Sequence, residues 1–151
     1  MKHTEEQRQR AERARRWLSR YRWVAAEIEL LEETIKNLRD AYDRIASAFS
    51  ALGVASGTPG DKVADAAEKT VTAEEHLMER LAEKSAILAE IERALDGVED
   101  DLHRVMLKQY YIGEKKTWDD VAEHLGYERV FEKVIPALLA VAVPEKVCSE
   151  M

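Results

Sequence analysis

Apolar residues separated alternately by three and four positions dominate the first third of the chain. The series runs through Trp17, Tyr21, Val24, Ile28, Leu31, Ile35, Leu38, Tyr42, Ile45, Phe49 and Leu52. Charged residues fill the positions between them, as in the a/d repeat of a coiled coil. A repeat sustained over about five heptads predicts one long helix from about Thr4 to Leu52.

A second helix is predicted after a break. The stretch GVASGTPGD, residues 53–61, holds three glycines and one proline, which end the first helix. Apolar or small residues then resume at similar spacings, interrupted by Glu74 and Lys84: Val63, Ala67, Thr70, Leu77, Leu81, Leu88, Ile91, Leu95 and Val98. This pattern predicts a second helix from about Asp61 to Asp96. A short loop between two long helices favours an antiparallel hairpin, here residues 1–97 with its turn at 53–60.

The first apolar series is longer than the second helix can cover. Trp17, Tyr21 and Val24 therefore need another surface to bury them. Either a second copy of the chain or the C-terminal segment could supply it. We expect a homo-oligomer.

A smaller helical domain is predicted at 98–143, followed by a tail at 144–151. Asp100 or Asp101 can cap a helix whose apolar face is Leu102, Val105, Met106, Gln109 and Tyr110, and Gly113 closes it with a turn. Thr117 with Asp120 forms a capping-box pattern for a short second helix. Its apolar face holds Trp118, Val121, Ala122 and Leu125. Gly126 suits the left-handed conformation that ends a helix.

The spacing around Gly126 is typical of a helix-turn-helix. In that motif a small residue in the first helix allows close approach of the second, and a glycine four positions later makes the turn. Ala122 and Gly126 have this spacing, and Val121, Leu125 and Tyr127 are apolar where the two helices would touch.

The wider segment DLHRVMLKQYYIGEKKTWDDVAEHLGY resembles the fourth region of bacterial sigma-70-type factors. The matching elements are an aliphatic helix ending in Tyr110 and Tyr111, a turn at Gly113, Trp118 with two acids, then Val-Ala, Leu-Gly and an aromatic residue. Small phage and prophage transcriptional regulators look like this throughout, with a long helical hairpin before a sigma-like helix-turn-helix. The resemblance implies an all-α regulator that binds double-stranded DNA, RNA polymerase or both.

The segment after Tyr127 departs from the family pattern. The position six residues after the glycine is a buried aliphatic in the family and Glu132 here. The alignment recovers if Val130 takes the buried position, which shortens the turn or the second helix by two residues. Pro136 then predicts a break, because proline lacks the N–H that would bond to the carbonyl of Glu132.

Two functions follow from this segment. If it reads DNA, Arg129 and Lys133 would contact bases, while Lys115, Lys116, Arg104 and Lys108 would contact phosphates. Six basic and nine acidic side chains at 98–143, however, oppose DNA binding. The alternative is a coiled-coil interaction or oligomerisation module whose degenerate helix-turn-helix contacts proteins rather than DNA.

Charge is unevenly distributed along the chain. The net charge is -7, yet residues 1–22 hold eight Lys or Arg and three Glu, so this basic end can attract nucleic acid or an acidic protein. Its aromatics Trp17, Tyr21 and Trp23 alternate with arginines, as in a platform for stacking bases. Trp17 and Tyr21 belong to the heptad series, however, which favours a core position, and only Trp23 lies outside it.

Catalytic and metal-binding patterns are missing from the sequence. The four histidines are widely spaced, Cys148 is the single cysteine, and no phosphate-binding loop or Ser/His/Asp set is present. We therefore expect no enzyme activity, cofactor or metal. The longest uncharged run, 134–144, is 11 residues against the roughly 20 of a membrane span, and no signal peptide is evident, so we expect a cytoplasmic protein without membrane contact.

Overall fold

The computed structural model describes residues 3–51 and 60–144, and this part of the chain is all helical. The α-helices are α1 (Glu5–Ala51), α2 (Gly60–Asp96), α3 (Asp101–Tyr111), α4 (Trp118–Leu125) and α5 (Val134–Leu139), and a 3-10 helix, Val130–Lys133, precedes α5. The all-α prediction and the bounds of both long helices are confirmed. The predicted turn lies outside the described residues except for Gly60, which begins α2. Within the described residues, every helix is too short or too polar to cross a membrane.

The chain divides into two compact units. Unit 1 consists of residues 1–23 and 84–151, and unit 2 of residues 24–83. Both ends of the predicted hairpin thus cluster with the C-terminal helices, although the sequence pattern placed the boundary at residue 97.

Unit 2 is an antiparallel helical hairpin. Val24, Ile28 and Ile35 of α1 are buried at positions of the heptad series, and Leu31 between them is partly buried. Glu27 of α1 accepts a hydrogen bond of 2.9 Å from Arg80, and Arg39, further along α1, pairs at 2.5 Å with the earlier α2 residue Glu74. Partners that move backward along α2 as α1 advances establish the antiparallel direction. The predicted coiled-coil hairpin is therefore confirmed.

The buried face of α2 differs from the predicted one at Leu81, which is 40% exposed. The side chain of Arg80 is partly covered, with 34% of its area exposed, and Ile87 rather than Leu88 is buried. The face therefore includes Arg80 and Lys84, both charged. Each has a partner on α1 that makes burial tolerable, since Arg80 bonds to Glu27 and Lys84 lies 5.5 Å from the ring centre of Tyr21.

Unit 1 buries the surplus aromatic end of the first heptad series. Its fully buried large side chains are Trp17 and Leu18 from α1, Ile91 and Leu95 from α2, Val98, and Met106, Leu107, Tyr111, Val121 and Val130 from the C-terminal region. Trp17 is only 1% exposed, so the C-terminal helices supply cover that the hairpin alone lacks. Of the two predicted ways to bury Trp17, docking of the C-terminal segment is the one seen.

Two tryptophans on α1 provide a test of this core. Replacing Trp17 with Ala removes a buried ring and should lower the free energy of unfolding by about 3–5 kcal/mol. Replacing Trp23, which is 58% exposed, with Ala should change it by about 0.5 kcal/mol or less. Urea denaturation followed by circular dichroism measures both. Equal losses in the two variants would contradict the assignment of Trp17 to the core.

Candidate functional site

Helix α3 begins at a capped end and stops at a glycine. The Asp100 carboxylate accepts a hydrogen bond of 3.0 Å from the backbone N–H of His103, and this bond lowers the pKa of Asp100. At the other end, the N–H of Gly113 donates to the carbonyl of Lys108 at 2.8 Å. A Cβ at position 113 would lie 2.9 Å from the carbonyl oxygen of Gln109, so the turn requires glycine. The predicted cap and turn are both confirmed.

An aromatic cluster joins α3, α4 and α1. Tyr110 stacks on Trp118 with ring centres 3.9 Å apart and planes within 3° of parallel. The guanidinium of Arg22 lies 4.3 Å from the centre of the Tyr110 ring and donates a hydrogen bond of 3.0 Å to the backbone carbonyl of Lys115. Arg22 therefore holds the α3–α4 loop against α1. The sequence did not predict this position for Arg22, because a contact between residues 93 positions apart leaves no local signal.

The α4 corner has the geometry that the sequence predicts. The Thr117 hydroxyl accepts a hydrogen bond of 3.1 Å from the N–H of Asp120 and caps the helix. Gly126 adopts φ 65° and ψ 30°, the left-handed conformation. The next residue, Tyr127, donates to the carbonyl of Ala122 at 3.1 Å, as in a Schellman C-cap. Val121 is fully buried, whereas Trp118, Ala122, Leu125 and Tyr127 are partly buried.

The segment after the corner is shorter and more irregular than a regular recognition helix. A four-residue 3-10 helix leads directly into the six-residue α5. Val130 is 1% exposed while Glu132 is exposed, so Val130 takes the buried position that the sequence assigned to it. Pro136 is the third residue of α5, where a helix has no internal partner for the missing N–H. The predicted break at Pro136 is therefore not seen, since α5 continues through this residue, and the change from 3-10 to α-helix falls between Lys133 and Val134.

The apolar end of the chain packs inward. Ala137, Leu138 and Val141 are buried, and α5 packs on α3, as expected for an uncharged segment. A groove of about 250 Å³ remains where Leu138 and Val141 face Arg10 and Arg13 of α1. The sequence marked this end of α1 as basic but gave no sign that α5 would lie beside it.

Three of the predicted DNA-binding side chains are engaged within unit 1. Arg104 pairs with Asp101 and donates to the carbonyl of Val98 at 2.8 Å. Lys108 pairs with Asp96 at 2.6 Å. The positive charge of Lys133 helps to lower the pKa of Asp100, so Lys133 also lies near an acid. Phosphate binding by Arg104 and Lys108 would compete with their existing contacts.

The remaining three basic candidates differ in accessibility. Arg129 and Lys116 are exposed and Lys115 is partly buried, and the ion pairs among the described residues include none of them. The six candidates therefore do not form one continuous basic surface, because acids lie beside several of them.

The most prominent exposed side chain after the corner is Phe131. It projects from the 3-10 helix with 73% of its area exposed, the highest value among the exposed large hydrophobic residues of the described chain. Its exposed neighbours are Glu128, Arg129 and Glu132. We call these four residues the corner surface. The sequence did not single out Phe131, because its exposure depends on which side of an irregular turn faces outward.

Comparisons with known proteins add no relative: no protein-family model, curated protein or solved structure matches the chain. Within the described residues, no group of three or more His, Cys, Asp or Glu side chains is arranged to hold a metal ion. The helix-turn-helix interpretation therefore depends on the local geometry and on the resemblance of its sequence.

Gly126 provides a test of the corner. A Cβ there would meet nothing within 4 Å, so the cost of Gly126→Ala comes from its φ of 65° alone. We expect a loss of about 1 kcal/mol in the free energy of unfolding, and a smaller loss for Gly126→Asn, because asparagine tolerates the left-handed region. Thermal and urea unfolding compare the two variants. An alanine variant as stable as the parent would exclude the strained corner.

Tyr111 provides a second test. Burial raises the pKa of its phenol well above the ordinary value. The unfolded chain loses this proton above a pH of about 10 while the folded chain retains it, so the contribution to folding is present below that pH and is lost above it. Unfolding free energies from pH 8 to pH 11 should fall less steeply for Tyr111→Phe than for the parent. Identical slopes would show that Tyr111 is not buried as described.

Proposed function

We propose that this protein is a transcriptional regulator of the phage type whose corner surface binds a protein partner. The resemblance to the fourth sigma region implies RNA polymerase as the class of that partner. The observation that carries the proposal is Phe131, an aromatic ring 73% exposed on a short helix that buried residues hold in place.

An exposed aromatic residue with a charged rim is a typical centre of a protein interface. Aromatic side chains are enriched among the residues that dominate binding energy, and polar neighbours around them exclude water. Phe131 has such a rim in Glu128, Arg129 and Glu132. The buried Val130 beside it fixes the backbone from which the ring projects. The partner would present an apolar pocket bordered by both charge signs.

The charges of the corner surface support a protein partner over DNA. Glu128 and Glu132 outnumber Arg129, so the surface would repel phosphates. The predicted DNA contacts Arg104, Lys108 and Lys133 already lie close to acids or backbone carbonyls. To bind phosphates, these side chains would have to leave their present neighbours; otherwise they would take no part in DNA binding.

DNA binding is the second candidate, and one observation favours it. Lys115 and Lys116 form the α3–α4 loop and Arg129 follows α4, and these three side chains are outside the ion pairs of the described residues. They would supply a limited set of phosphate contacts. We expect a homo-oligomer, and a dimer would double the number of these contacts. Such a regulator would act in the cytoplasm.

Substitution of Phe131 tests the first candidate. Binding of the full chain to bacterial RNA polymerase core enzyme is measured by biolayer interferometry, and Phe131→Ala should weaken it about tenfold to a hundredfold. The free energy of unfolding should stay nearly unchanged, because the ring is exposed. Leu30→Ala is the matched control, since Leu30 is 64% exposed but lies on α1 in unit 2. Absence of binding, or equal binding by both variants, would contradict the proposal.

A DNA mobility-shift assay separates the two candidates. The double variant Lys115→Gln, Lys116→Gln should leave polymerase binding largely intact, because both residues lie outside the corner surface. If the parent instead binds genomic DNA fragments in a strongly salt-dependent way and the double variant binds them much more weakly, the second candidate holds.

A further inference from the structure

An apolar row on α2 is exposed among the described residues of unit 2. Val71, Met78 and Leu81 of α2 are 52%, 67% and 40% exposed. Val71 and Met78 are seven positions apart, which is two helical turns, so they lie on one stripe, and Leu81 follows one turn later. Isolated exposed apolar residues are ordinary, but a row of three large ones on one helix marks an interaction surface.

Two neighbouring grooves between α1 and α2 open on the same side as this row. Their volumes are about 490 Å³ and 310 Å³, and both are lined by Arg39 and Asp43. The larger also includes Lys36 and the smaller also includes Val71. Val71, the first residue of the row, thus lines a groove together with charged residues of α1, and Met78 continues the same stripe of α2. We call the two grooves and the apolar row together the hairpin face.

The charges of the hairpin face complement themselves. On α1, Lys36 and Asp43 have opposite signs and are two turns apart, so their midpoint lies between Arg39 and Asp40. On α2, the midpoint of Val71 and Met78 lies at residues 74–75. The ion pair between Arg39 and Glu74, at 2.5 Å, fixes these two midpoints at the same level of the hairpin.

We propose that two copies of this chain pack through the hairpin face around a twofold axis at the level of Arg39 and Glu74. The axis would lie in the interface, perpendicular to the helices, so that each helix meets its own copy in the antiparallel direction. Lys36 then faces Asp43 of the second copy, and the reverse contact forms by symmetry. Val71 likewise meets Met78 of the second copy, which closes the apolar row.

A second copy fits this face because both helices share one centre of symmetry. A twofold interface places the same patch on both partners, so that patch must complement itself in charge and shape. On α1 the face meets the charge requirement, with opposite signs at equal distances from the centre, and on α2 apolar residues are similarly placed. This inference deepens the homo-oligomer expectation of the proposed function and does not depend on the corner surface.

Charge reversal with mixing tests the pairing. The full chain should be a dimer by sedimentation equilibrium. Lys36→Asp places two acids opposite each other at both symmetric contacts, and Asp43→Lys places two bases there, so each variant should dimerise about tenfold more weakly or worse. An equimolar mixture should associate again, because each contact then joins opposite charges. Such recovery cannot arise from a folding defect.

The apolar row is tested by Met78→Lys. This substitution should weaken the dimer about tenfold or more, whereas Leu30→Lys should leave it intact, because Leu30 is similarly exposed but lies on α1, outside the apolar row. Circular dichroism should show equal helix content in both variants. Retention of the dimer in Met78→Lys would overturn the proposal.

Other outcomes are equally decisive. A monomeric parent chain, singly reversed variants that remain dimers, or a mixture that stays monomeric would each overturn the proposed pairing. Phe131→Ala should leave the dimer unchanged. A parent chain that dimerises but does not bind polymerase would contradict only the corner proposal. A parent chain that binds polymerase but stays monomeric would contradict only this one.

Discussion

Burial of Trp17 is the interaction on which unit 1 depends. The ring lies on the heptad series of α1, and it is covered only when the end of α2 and the helices after residue 98 come together around it. Burying a large aromatic side chain stabilises the fold by roughly 2–3 kcal/mol, more than a capping bond or an exposed ion pair contributes. The core that positions the corner surface therefore includes residues near the beginning of α1, which are more than a hundred positions away in the sequence.

The charged positions on the buried face of α2 contribute specificity more than stability. Arg80 bonds to Glu27, and Lys84 lies over Tyr21, so each charge meets its partner on α1 in only one alignment of the two helices. A one-turn slip would break both contacts, although Arg80 would keep its ion pair with Glu83 of α2. The apolar residues of the hairpin alone would penalise such a slip less, because aliphatic side chains accept one another in several alignments.

Local features of the sequence predicted most of the fold. The heptad series predicted both long helices, the caps at Asp100 and Thr117 predicted two short ones, and Gly126 predicted the corner, because each signal lies within a few residues of the structure it causes. The covered position of Arg80 in place of Leu81 was missed, since apolar character is a poor guide where a charged residue has a partner on the facing helix. The candidate site was predicted less well. The roles of Arg22 and Phe131 depend on contacts distant in sequence and on which side of an irregular turn faces outward.

The helix α5 has six residues, lacks a side-chain cap and contains a proline. Isolated helices of this length do not persist in water, so its helical state depends on packing against α3 and on the buried side chains of Ala137 and Leu138. The peptide from Val130 onward therefore has little structure to retain once the core opens. The ordered conformation of this segment depends on the assembled domain, and the orientation of the Phe131 ring is lost when the tertiary contacts are lost.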